Sequence, residues 1–193
     1  MKSRKINKSR LALAITAGTL GALAQQAVAA GFIEDSKASL TLRNFYINTD
    51  NRNGSASPSK QEEWGQGFIL NYQSGFTQGT VGFGVDAFGY LGLKLDGTSD
   101  KTGTGNLPVM NDGKPRDDYS RAGGALKVRI SKTMLKWGEM QPTAPVFAAG
   151  GSRLFPQTAT GFQLQSSEFE GLDLEAGHFT EGKQGTTTKS RGE

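Results

Sequence analysis

The chain has 193 residues, a length that fits one domain. It contains 27 glycines and no cysteine, which excludes a disulfide scaffold and thiolate metal sites. The formal net charge is +4, but residues 1–29 hold five lysine and arginine residues and no acid. Removing those five from the 22 basic side chains leaves 17 against 18 acidic ones, so the charge balance indicates no nucleic-acid-binding surface.

Residues 1–29 have the three parts of a secretory signal peptide. A basic start is followed by the apolar segment Leu11–Leu23 and by Ala27-Val28-Ala29, an A-x-A cleavage site. An uncleaved membrane anchor is the alternative, but the apolar run is shorter than the ~20 residues that a membrane-spanning helix needs. We therefore expect export and a mature protein that begins near Ala30. No later segment is apolar for long enough to span a membrane as a helix, so a membrane location would require strands.

Period-two alternation of apolar and polar residues, the pattern of β-strands, recurs seven times in the mature chain. The third instance is the clearest, with Val81, Phe83 and Val85 on one face and Gly82 and Gly84 on the other. No helical periodicity competes with it. The predicted strands cover residues 38–43, 64–73, 80–91, 122–130, 135–138, 162–165 and 172–177.

The connections between these strands alternate in length. Long, short, long, very short, long and short connections cover residues 48–63, 74–79, 93–120, 131–132, 141–159 and 167–171. Such sorting is typical of outer-membrane barrels, which have short periplasmic turns and long extracellular loops. A soluble β-sandwich has no reason to sort its connections in this way.

The two faces of the strands are also informative. The parity of a residue, meaning its odd or even position along a strand, decides which face of the sheet it lies on. Parity alone does not separate a membrane barrel, whose apolar face meets lipid, from a soluble β-protein, whose apolar face is the core. The barrel is favoured because the polar face is rich in Gly, Gln, Asn and charge, and because Trp64, Tyr72, Tyr90 and Trp137 fall near strand ends, where aromatic girdles lie. A soluble or surface β-rich binding or adhesin module is the alternative, and it would be soluble without detergent.

Seven strands do not close a bacterial barrel, which has an even number of at least about eight strands. The chain also shows no closing strand with a terminal aromatic residue. We therefore predict an all-β fold in which residues 30–193 form the N-terminal portion, about seven strands, of a larger antiparallel transmembrane β-barrel.

The third long connection, residues 141–159, contains Pro142, Pro145 and Pro156 together with several apolar residues. A connection of this length is uncommon unless it is functional or disordered, and its apolar content argues against disorder. In a barrel such a loop can fold back inside. This would bring Arg153 and Ser152 into the bore.

Four segments resemble the OprD family of substrate-specific outer-membrane porins. They read GFIEDS (31–36), SGFTQGTVGFGVDA (74–87), KWGEMQPT (136–143) and SRLFPQT (152–158), and the resemblance continues through Arg191. It departs in the leader and in the first long loop, Thr49–Glu63. The resemblance implies an eighteen-stranded barrel, of which this chain covers somewhat less than half.

The resemblance also implies a function. Family members take up small carboxylate-bearing solutes passively, above all basic amino acids and short peptides, and carbapenem antibiotics enter by mimicry. A narrow constriction, made partly by the third extracellular loop, and a ladder of basic side chains give specificity. The expected partners are such solutes and the lipid bilayer and lipopolysaccharide of the outer membrane, with no nucleic acid and no cofactor. The oligomeric state stays open.

Four residues are candidates for guiding or constricting solutes. Ser152 and Arg153 fall on the matching positions of the third loop, and the guanidinium of Arg153 offers a planar donor fork that matches a carboxylate. Lys127 and Arg129 share the polar face of the fourth strand, where facing lipid would cost about 2–4 kcal/mol per residue. We expect both to face the bore, where they either guide solutes or balance lumen-facing acids, Asp173 and Glu175.

Enzymatic and metal sites are not indicated. The single histidine, His178, has the parity of the apolar residues in its strand and lies beside no Ser/Asp constellation. The acidic residues between Asp96 and Asp118 do not follow the spacing of a calcium-binding loop. We interpret them as part of a solvated extracellular loop.

Overall fold

A computed structural model describes residues 29–51, 54, 58–144, 147–148, 153–186 and 191–192. Apart from Ala29, the predicted signal sequence lies outside the described residues, as does Ser152. No helix in the described part of the chain is long and apolar enough to cross a membrane.

The described residues form one antiparallel meander in which each long strand pairs with the next along the chain. A short helix, α1 (Ala29–Phe32), precedes the sheet. The strands are β1 (Lys37–Asp50), β2 (Lys60–Gln73), β3 (Val81–Gly97), β4 (Asp118–Ile130), β5 (Thr133–Met140), β6 (Thr143–Ala144), β7 (Phe147–Ala148), β8 (Thr158–Phe169), β9 (Leu172–Lys183) and β10 (Arg191–Gly192). The sheet order is β1-β2-β3-β4-β5-β8-β9-β10, and β6 and β7 pair separately. The all-β prediction and its seven strands, now β1–β5, β8 and β9, are confirmed.

The strands are longer than the alternation predicted, mainly at the ends that carry the long connections. β2 begins at Lys60 and β3 runs for 17 residues to Gly97, beyond the roughly 9–11 residues that cross a bilayer. The predicted loops 48–63 and 93–120 are therefore shortened to residues 51–59 and 98–117. β2 begins with four polar residues, Lys60–Glu63, which form no apolar face, whereas in β3 the exposed Leu93 and Leu95 continue the alternation beyond its predicted end.

The two faces of the sheet have opposite character. Large apolar side chains on one face are exposed, as with Phe83 at 55% and Leu126 at 54%. Charged side chains on the other face are buried, as with Glu63 at 0% and Lys127 at 7%. We call the second the inner face. An exposed apolar face and a polar inner face are expected of a membrane barrel and not of a soluble β-protein.

Aromatic residues break the polar character of the inner face at one level. Phe88, Tyr90 and Tyr119 belong to a buried cluster with Ile69, Leu107, Leu154 and Phe155. The assignment of Tyr90 to an aromatic girdle was wrong, because its side chain points inward and is 2% exposed. Phe88 departs from the predicted alternation because its ring also lies on the inner face, where it stacks on Tyr90 with centroids 4.8 Å apart, and Tyr90 in turn stacks on Phe155 of the third long connection.

Candidate functional site

The described residues of the third long connection, which runs from residue 141 to residue 157, pack onto the inner face of the sheet. Leu154 and Phe155 are buried there. The ring of Phe155 stacks on Tyr90, with centroids 5.1 Å apart, and meets Tyr119 edge-on at the same distance. Gln141 Nε2, at the start of the connection, donates to the hydroxyl of Tyr90. The predicted folding of this loop back into the barrel is therefore observed for its described residues.

Two glycines of β2 allow the loop to approach the wall closely. A Cβ atom on Gly65 would lie 3.1 Å from a methyl carbon of Leu154, and one on Gly67 would lie 3.1 Å from both Leu154 and Phe155. Contacts this short would require the loop to move. Gly65 and Gly67 thus mark the part of the wall against which the loop packs.

Arg153 is held at its backbone and at its side chain. Its Nε donates to the carbonyl oxygen of Thr104 at 2.7 Å, and its own carbonyl accepts a hydrogen bond from Arg43 Nη1 at 2.8 Å. The side chain is nevertheless exposed. It lines a cavity of about 280 Å³ together with Thr104, Gln157 and Gln184. The side chain of Arg153 therefore lines a cavity on the inner side of the sheet.

The second long connection, residues 98–117, also enters the bore. Sequence analysis predicted a solvated loop, and its acidic residues Asp100, Asp112 and Asp117 are indeed exposed. A hydrogen bond from Lys94 lowers the pKa of Asp117 below its usual value. Residues 104–107, however, turn inward and include the buried residues Asn106 and Leu107, which pattern analysis did not anticipate.

Glu63 anchors this inward turn. The carboxylate accepts hydrogen bonds from the backbone N of Gly103 and of Leu107, both at 3.1 Å, and from the hydroxyl of Thr104. Sequence analysis placed Glu63 in the first long loop. Its parity with Gly65 and Gly67 was the signal that could have placed it on the inner face.

A second arginine that the sequence analysis did not single out lies beside the third loop. The guanidinium carbon of Arg121 is 5.2 Å from the ring centroid of Tyr90. Its Nη1 donates to the carbonyl of Gln184 at 3.0 Å, and its Nη2 donates to that of Pro156 at 3.3 Å. Arg121 shares the parity of Lys127 and Arg129, but the predicted strand began one residue too late to include it.

Lys127 and Arg129 lie on the inner face, as expected from parity, but near the short turns and away from Arg153. Lys127 Nζ lies 2.6 Å from Asp86 Oδ1 and donates to the carbonyl of Ser74, also at 2.6 Å. The guanidinium carbon of Arg129 is 4.3 Å from the ring centroid of Phe76. The structure therefore does not bring these residues together with Arg153, and their role in guiding solutes stays a prediction.

The acidic partner of Lys127 differs from the one considered in the sequence analysis. Asp86 bridges Lys127 and Lys136, with Lys136 Nζ 2.8 Å from its Oδ2. Glu175 instead accepts hydrogen bonds from the inner-face residues Gln163 and Gln165, and Asp173 accepts one from Ser167. Charge balance on the wall is thus local: Asp86 in β3 pairs with Lys127 on the neighbouring strand β4 and with Lys136 on β5, one strand further.

Nothing in the described residues indicates catalytic or metal chemistry. His178 pairs in register with Phe162, whose side chain is exposed on the outer face. No group of three or more His, Asp or Glu side chains in the described ranges could hold a metal ion.

Comparison with known proteins agrees with this architecture. Residues 30–192 match the family described as "outer membrane porin, OprD family". The chain is 76% identical over 191 residues to Porin D of Pseudomonas aeruginosa, an alignment that covers 96% of this chain and 42% of that protein.

Solved structures show the same fold. The crystal structure of Pseudomonas aeruginosa OccK9 (OpdG) matches with a TM-score of 0.80 at 48% identity, covering 83% of this chain and 42% of that one. The structure of Pseudomonas aeruginosa OpdK with vanillate matches with a TM-score of 0.76 at 43% identity, covering 83% and 40%. The chain thus spans about two fifths of the length of these relatives. The family match over residues 30–192 and the 76% identity to Porin D show that the chain belongs to the OprD family of outer membrane porins, which are channels of the outer membrane and not enzymes.

Proposed function

We propose that this chain forms the first strands of a longer, eighteen-stranded barrel that admits small carboxylate-bearing solutes. Basic amino acids and short peptides are the proposed solutes, and carbapenem antibiotics enter by mimicry. The observation that carries the proposal is the packing of Leu154 and Phe155 against the wall, which presents the guanidinium of Arg153 to the bore. One relative, OpdK of Pseudomonas aeruginosa, has a crystal structure with vanillate, a molecule that carries a carboxylate. This supports a carboxylate as the recognised group.

The physical basis is charge recognition in a narrow passage. A guanidinium binds a carboxylate through a planar fork of donors, and a low-dielectric wall focuses its field on an approaching anion. Ser152 is proposed to lie beside Arg153 at the constriction. Lys127 and Arg129 are proposed to guide the solute further toward the short turns.

The outer face is proposed to contact the lipid bilayer and lipopolysaccharide. We further propose that residues 1–29 are a cleaved signal peptide. The backbone N of Gly75 donates to the carbonyl of Phe32 at 2.9 Å, so the residues that follow the proposed cleavage site are attached to the first short turn. Amino-terminal sequencing of protein from outer membranes should begin at Ala30.

The test of solute recognition compares L-arginine with its methyl ester, which lacks the carboxylate, in a liposome swelling assay on the complete barrel. Arg153→Ala should reduce the preference for arginine about tenfold or more, because a hydrogen bond to a charged group contributes about 1.5–3 kcal/mol. Arg116→Ala removes an exposed arginine of the second long connection and should leave the preference unchanged. An Arg153→Ala barrel that keeps full preference would refute the proposed role.

A further inference from the structure

Glu63 is a fully buried acidic side chain on the inner face. Burying an unpaired carboxylate is costly, so such groups are retained where several donors satisfy them. Here the donors are the backbone N of Gly103 and of Leu107 and the hydroxyl of Thr104. All three belong to one turn of the second long connection. The carboxylate therefore holds that turn against β2.

Thr104 connects this turn to the third loop. Its hydroxyl donates to Glu63 and accepts a hydrogen bond from the backbone N of Asn106 at 3.1 Å. Its carbonyl oxygen accepts the hydrogen bond from Arg153 Nε at 2.7 Å. A continuous chain of hydrogen bonds thus runs from Glu63 in β2, through Thr104 in the second long connection, to Arg153 in the third long connection.

The same turn is supported from other strands. Tyr119 in β4 donates its hydroxyl hydrogen to the carbonyl of Asn106 at 3.0 Å, and Asn106 Nδ2 donates to the carbonyl of Phe45 in β1 at 3.3 Å. Three strands of the wall, β1, β2 and β4, therefore contribute, and Glu63 supplies the only carboxylate among these contacts within the described residues.

We propose that Glu63 is a positioning residue of the constriction, which sets the direction of the Arg153 guanidinium through Thr104 without touching the solute. The inference rests on the proposed function of Arg153. An arginine side chain loses considerable rotamer entropy when it is ordered, and recognition of a carboxylate depends on the orientation of the fork. Because Glu63 already fixes the turn, part of the Arg153 side chain is ordered before the solute arrives, and less rotamer entropy is lost when the solute binds.

Glu63→Gln in the complete barrel tests this proposal. An amide has one acceptor oxygen, and its NH₂ group would face a donor, so at least one of the three hydrogen bonds is lost. Amide hydrogen exchange of residues 102–107, measured by mass spectrometry, should accelerate about tenfold or more, because bonds to charged groups are the stronger ones. The preference for L-arginine over its methyl ester should fall to within about twofold of the Arg153→Ala value, since the charge of Glu63 acts through that residue.

Three further variants complete the test. Glu170→Gln removes an exposed glutamate at the short-turn end and should change neither readout. Thr104→Val should accelerate exchange as Glu63→Gln does, whereas Thr104→Ser, which keeps the hydroxyl, should retain slow exchange. If Glu63→Gln does not assemble, the Thr104 pair carries the test.

The outcomes separate this proposal from the proposed function. In a Glu63→Gln, Arg153→Ala double variant, the loss of preference should equal that of Arg153→Ala alone. Unchanged exchange in Glu63→Gln, or additive losses in the double variant, would overturn the positioning role while leaving Arg153 as the recognition group. Accelerated exchange in Glu63→Gln together with full preference in Arg153→Ala would support the anchoring of the turn and refute the proposed function.

Discussion

Phe155 and Tyr90 stack with their ring centroids 5.1 Å apart and their planes inclined by 17°. This contact joins the third loop to the middle of β3 across 65 residues of sequence. The backbone hydrogen bonds of the sheet do not depend on it. The loop and the wall can therefore be disturbed separately.

Phe155→Ala should release the third loop while leaving the barrel folded. Truncating a buried phenylalanine costs about 3–5 kcal/mol of packing free energy. Here the loss weakens the attachment of the loop to the wall and not the pairing of the strands. The expected result is a larger single-channel conductance of the complete barrel in a planar bilayer. Phe83→Ala, which truncates an exposed ring of the outer face, should leave the conductance unchanged. Equal conductance for the two variants would contradict the prediction.

Gly67→Val should displace the same loop from the opposite side. A Cβ at this position would meet Leu154 and Phe155 at 3.1 Å, and the valine methyl groups would extend further. A valine fits a strand well, so conductance should change without loss of assembly. Gly89→Val in β3 is the matched control, because nothing lies within 4 Å of a Cβ there. A normal channel from Gly67→Val would show that the loop does not pack on β2.

Asp86→Ala should destabilise the short-turn end, because it leaves the buried Lys127 without its carboxylate partner. Breaking a buried ion pair costs about 3–5 kcal/mol. Asp112→Ala removes the exposed partner of Lys114 and should cost about 0–1 kcal/mol. The measurement is urea-induced unfolding of the barrel, followed by its shift in electrophoretic mobility. Asp86→Ala combined with Lys127→Met should recover stability, and equal losses for the two aspartate variants would contradict the prediction.

Residues 30–193 alone should form no channel. β1 pairs only with β2 among the described strands, and the long strand β9 pairs on its far side only with two residues of β10. Open edges in lipid leave backbone groups without hydrogen bonds. We expect no discrete conductance steps when this segment is reconstituted in a planar bilayer. Steps from the segment, with the complete barrel as positive control, would refute the prediction.

The length of the protein in cells can be measured directly. An antibody against the second long connection can be applied to outer-membrane fractions with and without boiling. It should detect a species roughly twice as long as this chain, because this chain covers 42% of the length of Porin D. A folded barrel migrates differently before boiling. A band of this length would instead indicate a shortened product and loss of solute uptake.

Strand positions and faces could be predicted from local sequence, because the pleat itself imposes a period of two. The inward parity of Lys127 and Arg129 was predicted on this basis, and so was the outward parity of His178. Local parity did not reveal the partner of Lys127, because Asp86 lies on the neighbouring strand, 41 residues earlier. Nor did it reveal the burial of Tyr90, which depends on a loop that begins 51 residues later, at Gln141.

The sequence by itself determined the all-β class, the order of the strands, the sorting of short and long connections and the face that meets lipid. Each of these follows from spacing between neighbouring residues. The tertiary structure decided which connections enter the bore, which glycines receive Leu154, and how Glu63, Thr104 and Arg153 connect. These relationships join residues tens of positions apart, and only the folding of two loops onto the inner face of the sheet brings their atoms within hydrogen-bonding and packing distance.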